Sequence, residues 1–192
     1  DMDPIVLAKR YGSIGLRIAK LAQGQDARTI SAQSEAKSIS SETTFNSDIS
    51  DHDMLVRTVR KLAEKVSARL KHKHLAGQTL ILKLKTADFK SRTRNKTLAD
   101  PTRLADRIFR NCVEMLEKET DGTKFRLIGV GVSTLMSDET ADPHDLVDLD
   151  GAKRAKAELA VDKLREKFGN KAVELGLTFR AGKDRKEQKP EN

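Results

Sequence analysis

The stretch that decides the fold is Leu80–Lys96, which reads LILKLKTADFKSRTRNK. Its first half has leucine at every second position, the pattern of a strand with one side in a core. A turn at Thr86–Asp88 leads into a return strand from Phe89, and by the period-two rule of strands four cations of that strand share one face: Lys90, Arg92, Arg94 and Lys96. The other face, with Ser91, Thr93 and Asn95, is not apolar. The sequence therefore predicts a β-hairpin whose return strand lies at a sheet edge.

The segment before this hairpin predicts a strand followed by a helix. Ala36–Asn46 is rich in β-branched and hydroxyl residues, which favours a strand. Ser50 or Asp51 can cap the helix that follows. Spacings of three and four define its buried stripe: Leu55, Val59, Leu62, Val66 and Leu70. Its opposite face is expected to carry Arg57, Arg60, Lys61 and Lys65, and Gly77 is expected to end the connection to the hairpin.

The segment after the hairpin repeats the helix and strand. Asp100–Pro101 predicts a helix start, with Asp as the cap and Pro in the first position. The buried stripe of this helix is Leu104, Ile108, Cys112, Met115 and Leu116. A turn at Asp121–Gly122 leads into a strand in which Ile128, Val130 and Val132 point inward. The predicted fold is α+β, in the order β-α-β-β-α-β, with a four-stranded antiparallel sheet, two helices on one face, and the second face open, polar and basic.

The two ends of the chain predict helical attachments. Residues 1–24 read as two short helices around a break at Tyr11–Gly15, with Gly24 as the stop of the second. Residues 25–35 form a polar tether. Residues 138–151 carry six acidic side chains and no basic one before Gly151, and predict an acidic, self-repelling linker. Residues 152–180 form a helical extension, with a helix from Ala152 to Phe168 and an apolar stripe of Ala157, Ala160, Val161, Leu164 and Phe168. Residues 181–192 are too polar to order themselves.

Composition excludes several classes of protein. Of 192 residues, 37% are hydrophobic and 34% charged, so the chain is not fibrous. Without a long apolar run or a signal peptide, it is expected to be cytoplasmic and away from membranes. It is also expected to be a monomer. The single Cys112 cannot form an internal disulfide, and its apolar neighbours predict a buried thiol.

Positive charge is concentrated in the middle of the chain. Residues 36–137 carry 20 basic and 12 acidic side chains, a balance that favours polyanions. The hairpin alone presents six cations, Lys83, Lys85, Lys90, Arg92, Arg94 and Lys96, against Asp88. Alternate side chains of a strand recur about every 6.6 Å, close to the phosphate repeat of a nucleic-acid strand. We therefore expect phosphate contacts from Lys83, Lys85, Lys90, Arg92, Thr93 and Arg94, helped by Lys37, Ser38, Ser40 and Thr44.

Two other interpretations stay open at this point. The cations could simply form a solvated sheet edge. The order β-α-β-β-α-β is also that of an RNA-recognition motif, but its binding strands need aromatic rings for base stacking, and Phe89–Lys96 offers none after its first residue. Phosphate contact with duplex or template-primer DNA fits these strands better.

Four stretches also resemble the C-terminal part of Y-family DNA polymerases of the bacterial DNA polymerase IV group. Three are similar to strands of the little finger domain: Lys37–Phe45 (KSISSETTF), Leu84–Arg94 (LKTADFKSRTR) and Arg126–Val132 (RLIGVGV). The fourth, Tyr11–Asp26 (YGSIGLRIAKLAQGQD), is similar to the end of the thumb. The resemblance implies that residues 1–24 end a thumb, that residues 36–137 form a little finger, and that the parent is a translesion polymerase that grips template-primer DNA from the major-groove side.

The resemblance also implies parts that this chain lacks. In the family, a palm domain holds magnesium and joins nucleotides, and no stretch here resembles a palm. The chain is therefore expected to hold no cofactor, to be inactive alone, and to represent a truncated product or a fragment. The family also carries a C-terminal peptide for the sliding clamp, for which Glu174–Phe179 (ELGLTF) is a loose candidate without the usual Gln. An interaction module for a clamp or a repair protein is the remaining alternative.

Overall fold

The computed structural model describes residues 2–29, 36–143, 148, 150–169 and 172–178. Part of the predicted tether (30–35), part of the acidic linker (144–147 and 149) and the predicted tail (181–192) lie outside the described residues. The chain divides into two compact units, residues 1–35 and residues 36–192. None of the described helices combines the length and the apolarity that crossing a bilayer requires.

The first unit contains helix α1, Pro4–Ala22, which is kinked at Gly12. Gly12 has φ +61°, a left-handed conformation that favours glycine, so the predicted break between two helical halves is confirmed. Gly24, with φ +74°, lies just past the end of the helix and stops it, as predicted. The Gly24 amide donates to the Leu21 carbonyl (3.0 Å) and the Gln25 amide to the Lys20 carbonyl (2.9 Å), the two hydrogen bonds of a Schellman motif.

The second unit is built on a four-stranded antiparallel sheet in the order β1-β4-β2-β3. The strands are β1 (Ser38–Ile49), β2 (Leu75–Thr86), β3 (Ser91–Thr102) and β4 (Phe125–Ser137), and the two helices between them are α2 (His52–His72) and α3 (Ala105–Glu117). Both helices pack on the same face of the sheet. The predicted α+β fold is therefore confirmed, with β3 at a sheet edge.

The core lies between that face and the two helices, and it is made of the predicted stripes. The five apolar positions of the α2 stripe, the alternating leucines of β2, and Ile128, Val130 and Val132 of β4 are all buried. Cys112 of α3 is buried among them, and desolvation raises the pKa of its thiol to about 12. The thiol is therefore protonated at neutral pH and structural, as predicted.

The predicted helix start at Asp100–Pro101 is wrong, because β3 continues through both residues to Thr102. Pro101 can sit in this strand because β3 is at the edge of the sheet, where a proline need not donate to a ladder. Helix α3 begins at Ala105 after Leu104, which provides no side-chain cap. Instead, Glu158 from a later helix accepts hydrogen bonds from the amides of Ala105 (2.8 Å) and Asp106 (3.0 Å).

Two further local predictions are corrected. Gly77 does not end the connection but lies inside β2, where a Cβ would clash with the side chain of Val132. Arg60 does not lie on a solvent face but is buried. Its guanidinium pairs with Glu64 (3.0 Å) and Asp106 (3.4 Å) and lies 5.2 Å from the centre of the Phe109 ring.

The acidic segment is not self-repelling at the positions that the structure describes. A short 3-10 helix, Asp138–Thr140, follows β4. Asp138 pairs with Arg103, Asp142 pairs with Arg107 (3.4 Å), and Asp148 pairs with Arg110 (3.2 Å). Arg154 also binds Asp148 and lowers the pKa of that carboxyl below its usual range. The acids thus attach this segment to the arginines around α3.

The last described helix, α4 (Gly151–Phe168), contacts the unit through a polar face. Its docking residues recur every three to four positions: Arg154, Glu158, Asp162 and Arg165. Arg154 binds Asp106, Glu158 and Asp162 both bind Lys71, and Arg165 binds Glu64. The predicted apolar stripe does not make this contact, since Leu164 and Phe168 are exposed.

Candidate nucleic-acid interface

Within the described residues of the second unit, the sheet face opposite α2 and α3 is uncovered. Strand register defines this open face, because residues directly opposite in antiparallel strands project from the same side. The residues on it are Ser38, Ser40, Glu42 and Thr44 of β1; Leu127, Gly129, Gly131 and Ser133 of β4; Thr79, Ile81, Lys83 and Lys85 of β2; and Ser91, Thr93, Asn95 and Thr97 of β3. Hydroxyl groups dominate this surface, and it is less basic than predicted.

A shallow groove runs along the middle of the open face. Its floor is Gly129 and Gly131 of β4, and its walls include Ser40 and Glu42 on one side and Ile81 and Lys83 on the other. A Cβ added at Gly129 would lie 3.0 Å from the Glu42 Cβ, and one at Gly131 would lie 3.1 Å from the Ser40 Cβ. The two glycines therefore keep the groove open. Sequence reasoning noted only the inward valines of this strand and missed the groove.

Charge on the open face is limited to a few side chains. Lys83 is exposed and pairs with Glu42 across Gly129, with 2.9 Å between Nζ and Oε2. Lys85 lies at one end of the face, with its Nζ 5.0 Å from the centre of the Phe89 ring. Glu42 was not among the predicted site residues, although its place in β1 two residues after Ser40 puts it on the same face.

The open sheet face was predicted to be basic, but three of the six hairpin cations do not lie on it. Leu84 is opposite Arg92, Leu82 opposite Arg94 and Leu80 opposite Lys96, so these three cations project from the helix side of the sheet. They lie along the outer strand β3 and are only partly covered: the side chains of Arg92, Arg94 and Lys96 are 34%, 47% and 41% exposed. The structure therefore separates an open face with two lysines from an edge row with three cations.

The edge row is anchored by two acids at and just after the end of α3. Arg92 Nη1 lies 3.2 Å from Glu119 Oε2, and Arg94 Nε lies 2.6 Å from Glu119 Oε1. Lys96 pairs with Glu114 at 2.6 Å. Glu119 is buried, at 6% exposure, whereas Glu114 is exposed. No local pattern predicts the role of Glu119, because its partners Arg92 and Arg94 are 27 and 25 positions away.

The remaining predicted residues lie at the margins of the sheet. Lys37 immediately precedes β1 and is exposed. Lys90 precedes β3 and pairs with Asp88 at 2.8 Å. Hydrogen bonds from Lys90 and Thr86 lower the pKa of the Asp88 carboxyl to about 2, so this carboxyl is ionised at neutral pH.

An exposed aromatic ring lies beside the end of the open face. Phe89 is 58% exposed and has φ +64°, an uncommon conformation for a residue with a side chain. The guanidinium of Arg126 lies 4.6 Å from the ring centre and donates to Asp48 at 3.1 Å. Neither Arg126 nor Phe89 was among the predicted site residues.

The family's magnesium has no fitting donor set in the described residues. No group of three or more His, Cys, Asp or Glu side chains there could hold a metal ion. Asp138, Asp142 and Asp148 are each committed to an arginine.

A search of family descriptions matches residues 36–146 to the impB/mucB/samB family C-terminal domain, more than half of the chain. The chain belongs to this family. The match covers the whole sheet, both packed helices and the first part of the acidic segment. Helix α4 lies beyond it.

Curated relatives of this impB/mucB/samB chain are named as polymerases. It is 60% identical over 93% of its length to "DNA polymerase IV 1" of Mesorhizobium japonicum, and 54% identical over 98% to "DNA polymerase IV" of Brucella melitensis. It covers 41% and 42% of those two proteins, so it spans less than half the length of the relatives it matches. The resemblance to the C-terminal part of the DNA polymerase IV group is confirmed.

A solved structure shows the same fold. A Y-family DNA polymerase chimera of Dbh and Dpo4 matches with a TM-score of 0.50 and 16% identity, covering 70% of this chain and 39% of the chimera. At that identity the likeness concerns the fold alone. The candidate clamp peptide, Glu174–Phe179, is described only up to Thr178, and its role stays a prediction.

Proposed function

We propose that this chain is the DNA-binding C-terminal portion of a DNA polymerase IV, and that it grips template-primer DNA with the open face in the major groove. The observation that carries the proposal is an uncovered, hydroxyl-lined sheet face with a row of cations along its outer strand. The names of its relatives support the polymerase context.

The width of the sheet fits the major groove. Four strands spaced by about 4.8 Å place the outer strands roughly 14 Å apart. The major groove of B-DNA is about 12 Å wide, so a sheet inserted into it brings β1 and β3 close to the two sugar-phosphate backbones. The cations of β3 then meet one backbone, and Lys37, Ser38 and Ser40 at the start of β1 meet the other.

The chemistry of the face favours binding without sequence preference. Hydroxyl groups such as those of Ser40, Thr44 and Thr93 donate to phosphate oxygens and position a protein without reading bases. Arg92 and Arg94 add cations, which release counterions from the DNA when they neutralise phosphates.

Replacing Arg92 and Arg94 together by Ala tests the proposal. We expect affinity for a primed duplex to fall roughly tenfold or more, because each arginine loses a charged hydrogen bond to phosphate. The loss should be equal for unrelated sequences, and the slope of log affinity against log salt should fall by about two units. Fluorescence anisotropy over a salt series measures both quantities.

The matched control replaces Lys61 and Lys65 by Ala. Both are exposed on α2, on the far side of the sheet from the open face, and the double variant removes the same charge. Equal losses in the two double variants would mean that the net charge of the domain, and not the β3 edge, binds DNA. No binding of the unmodified chain at low salt would contradict the proposal as a whole.

RNA binding is the first alternative, and the described strands give it little support. None of the open-face positions within β1–β4 is aromatic, and Phe89 stands in the turn beside them. Direct competition between primed DNA and single-stranded RNA separates the two functions. A module that only docks on a clamp or a repair protein would ignore DNA at low salt.

A further inference from the structure

Glu119 is a buried carboxylate that the proposed interface does not yet explain. It lies just beyond α3, and its side chain is 7% exposed. Each of its two oxygens takes a different arginine of the edge strand, Arg92 through Nη1 and Arg94 through Nε. Arg94 Nη1 also donates to the carbonyl of Thr93 at 3.1 Å.

This arrangement fixes the direction of both guanidinium groups. Arginine carries five N–H donors in a rigid fork, so anchoring one nitrogen orients the others. Within the described residues, the Nη2 groups of Arg92 and Arg94 make no hydrogen bond to protein. These nitrogens stay available to an incoming oxygen ligand, and both side chains keep a third or more of their surface exposed.

The charge of the cluster stays favourable for an anion. Two arginines and one carboxylate leave one net positive charge, and a buried carboxylate would be costly without both partners. Arg92 and Arg94 therefore compensate the buried carboxylate of Glu119, and both guanidinium groups stay at the sheet edge.

We infer that Glu119 is a positioning residue for DNA binding: it holds Arg92 and Arg94 in the orientation in which they contact phosphate. This inference rests on the proposed function. Pre-ordered side chains lose less rotamer freedom on binding, so the carboxylate strengthens DNA binding although it is itself negative.

Two substitutions of Glu119 distinguish a positioning role from a purely electrostatic effect of its negative charge. Glu119→Gln removes the negative charge, and a pure counter-charge predicts tighter DNA binding. Glu119→Asp keeps the charge but withdraws the carboxylate by one methylene, and a pure counter-charge predicts no change. If Glu119 positions the arginines, both variants should bind DNA more weakly. We expect a loss of affinity of roughly three- to tenfold, because two side chains are no longer ordered before binding.

The measurements are anisotropy titrations of the full chain with a primed duplex over a salt series, with thermal melting to compare folding. We expect a smaller salt slope for Glu119→Gln despite its more positive net charge, an outcome that loss of stability alone does not produce. In the R92A/R94A background, Glu119→Gln should have no further effect. Glu114→Gln is the matched control, since Glu114 is exposed and holds a single lysine; it should leave binding unchanged or slightly tighter.

The possible results distinguish the positioning role of Glu119 from the arginine contacts and from the proposed function. Tighter binding of Glu119→Gln together with unchanged binding of Glu119→Asp would overturn the positioning role while leaving the proposed function intact. Unchanged affinity in R92A/R94A would contradict the arginine contacts themselves. If the unmodified chain does not bind primed DNA, the proposed function fails first.

Discussion

Glu42 is the one acidic side chain on the described open face, and it faces the surface proposed to meet DNA. Its partner Lys83 lies across Gly129, where the absence of a side chain lets the two approach to 2.9 Å. Both side chains are about half exposed, at 52% and 46%, so the pair contributes little to stability. Its main consequence is electrostatic, because it neutralises one of two lysines on the face.

Glu42→Gln should therefore tighten DNA binding. The substitution frees Lys83 for a phosphate and removes a repulsive charge, so we expect affinity to rise several-fold and the salt slope to increase by about one unit. Titration with a primed duplex measures both. Glu117→Gln on the exposed side of α3 removes the same charge elsewhere and should have a smaller effect. The gain should disappear in Glu42→Gln/Lys83→Ala, and weaker binding of Glu42→Gln would mean that Glu42 itself contacts the DNA.

The cations of the hairpin show how far residue-level prediction reaches. Period-two alternation within β2 and within β3 predicted which residues share a face inside each strand. It could not predict how the two strands are phased, because a shift of one residue in register moves every side chain of a strand to the other face. The pairing of Lys85 with Ser91 sets that phase, and it places the arginines with the leucines and the lysines with the hydroxyls.

Helix α4 supplies the N-terminal cap of helix α3. The first amides of a helix lack intrahelical partners, and Leu104 cannot supply one. Glu158 does so from α4, with each carboxylate oxygen accepting from one amide, and it also binds Lys71 at 2.5 Å. A carboxylate at a helix N-terminus also interacts favourably with the helix dipole. No local pattern predicts this cap, because 53 positions separate Glu158 from Ala105.

Glu158→Gln should destabilise the second unit. The side chain is 10% exposed, and the change weakens both the cap of α3 and the ion pair with Lys71. We expect a loss of about 1–2 kcal/mol in the free energy of unfolding, the range for a lost N-cap, visible as a lower Tm. Glu166→Gln, at an exposed position of the same helix, should leave the Tm within experimental error. Equal Tm values for the two variants would mean that α4 does not cap α3 in solution.

In the second unit, the elements with a regular repeat of apolar side chains were predictable from the sequence. The stripes of α2 and α3 and the alternation in β2 and β4 predict two helices over one sheet face, because that arrangement buries all of them. Elements held by ion pairs were not predictable in the same way. Asp138, Asp142 and Asp148 pair with Arg103, Arg107 and Arg110. Helix α4 also docks through charged side chains, and hydrophobic periodicity predicts neither contact.

The proposed orientation of the unit on DNA rests on its having one covered and one uncovered sheet face, and it can be tested by changing the DNA instead of the protein. Bulky C5 substituents on pyrimidines, such as glucosylated hydroxymethylcytosine, fill the major groove and leave the minor groove unchanged. If the open face enters the major groove, a primed duplex carrying them should bind at least tenfold more weakly, since the face loses its approach to the backbones. Netropsin, which occupies the minor groove at A·T tracts, should leave the affinity of an A·T-containing duplex unchanged. The reverse pattern in anisotropy titrations, with netropsin competing and the glucosylated duplex binding normally, would place the unit in the minor groove and contradict the proposed orientation.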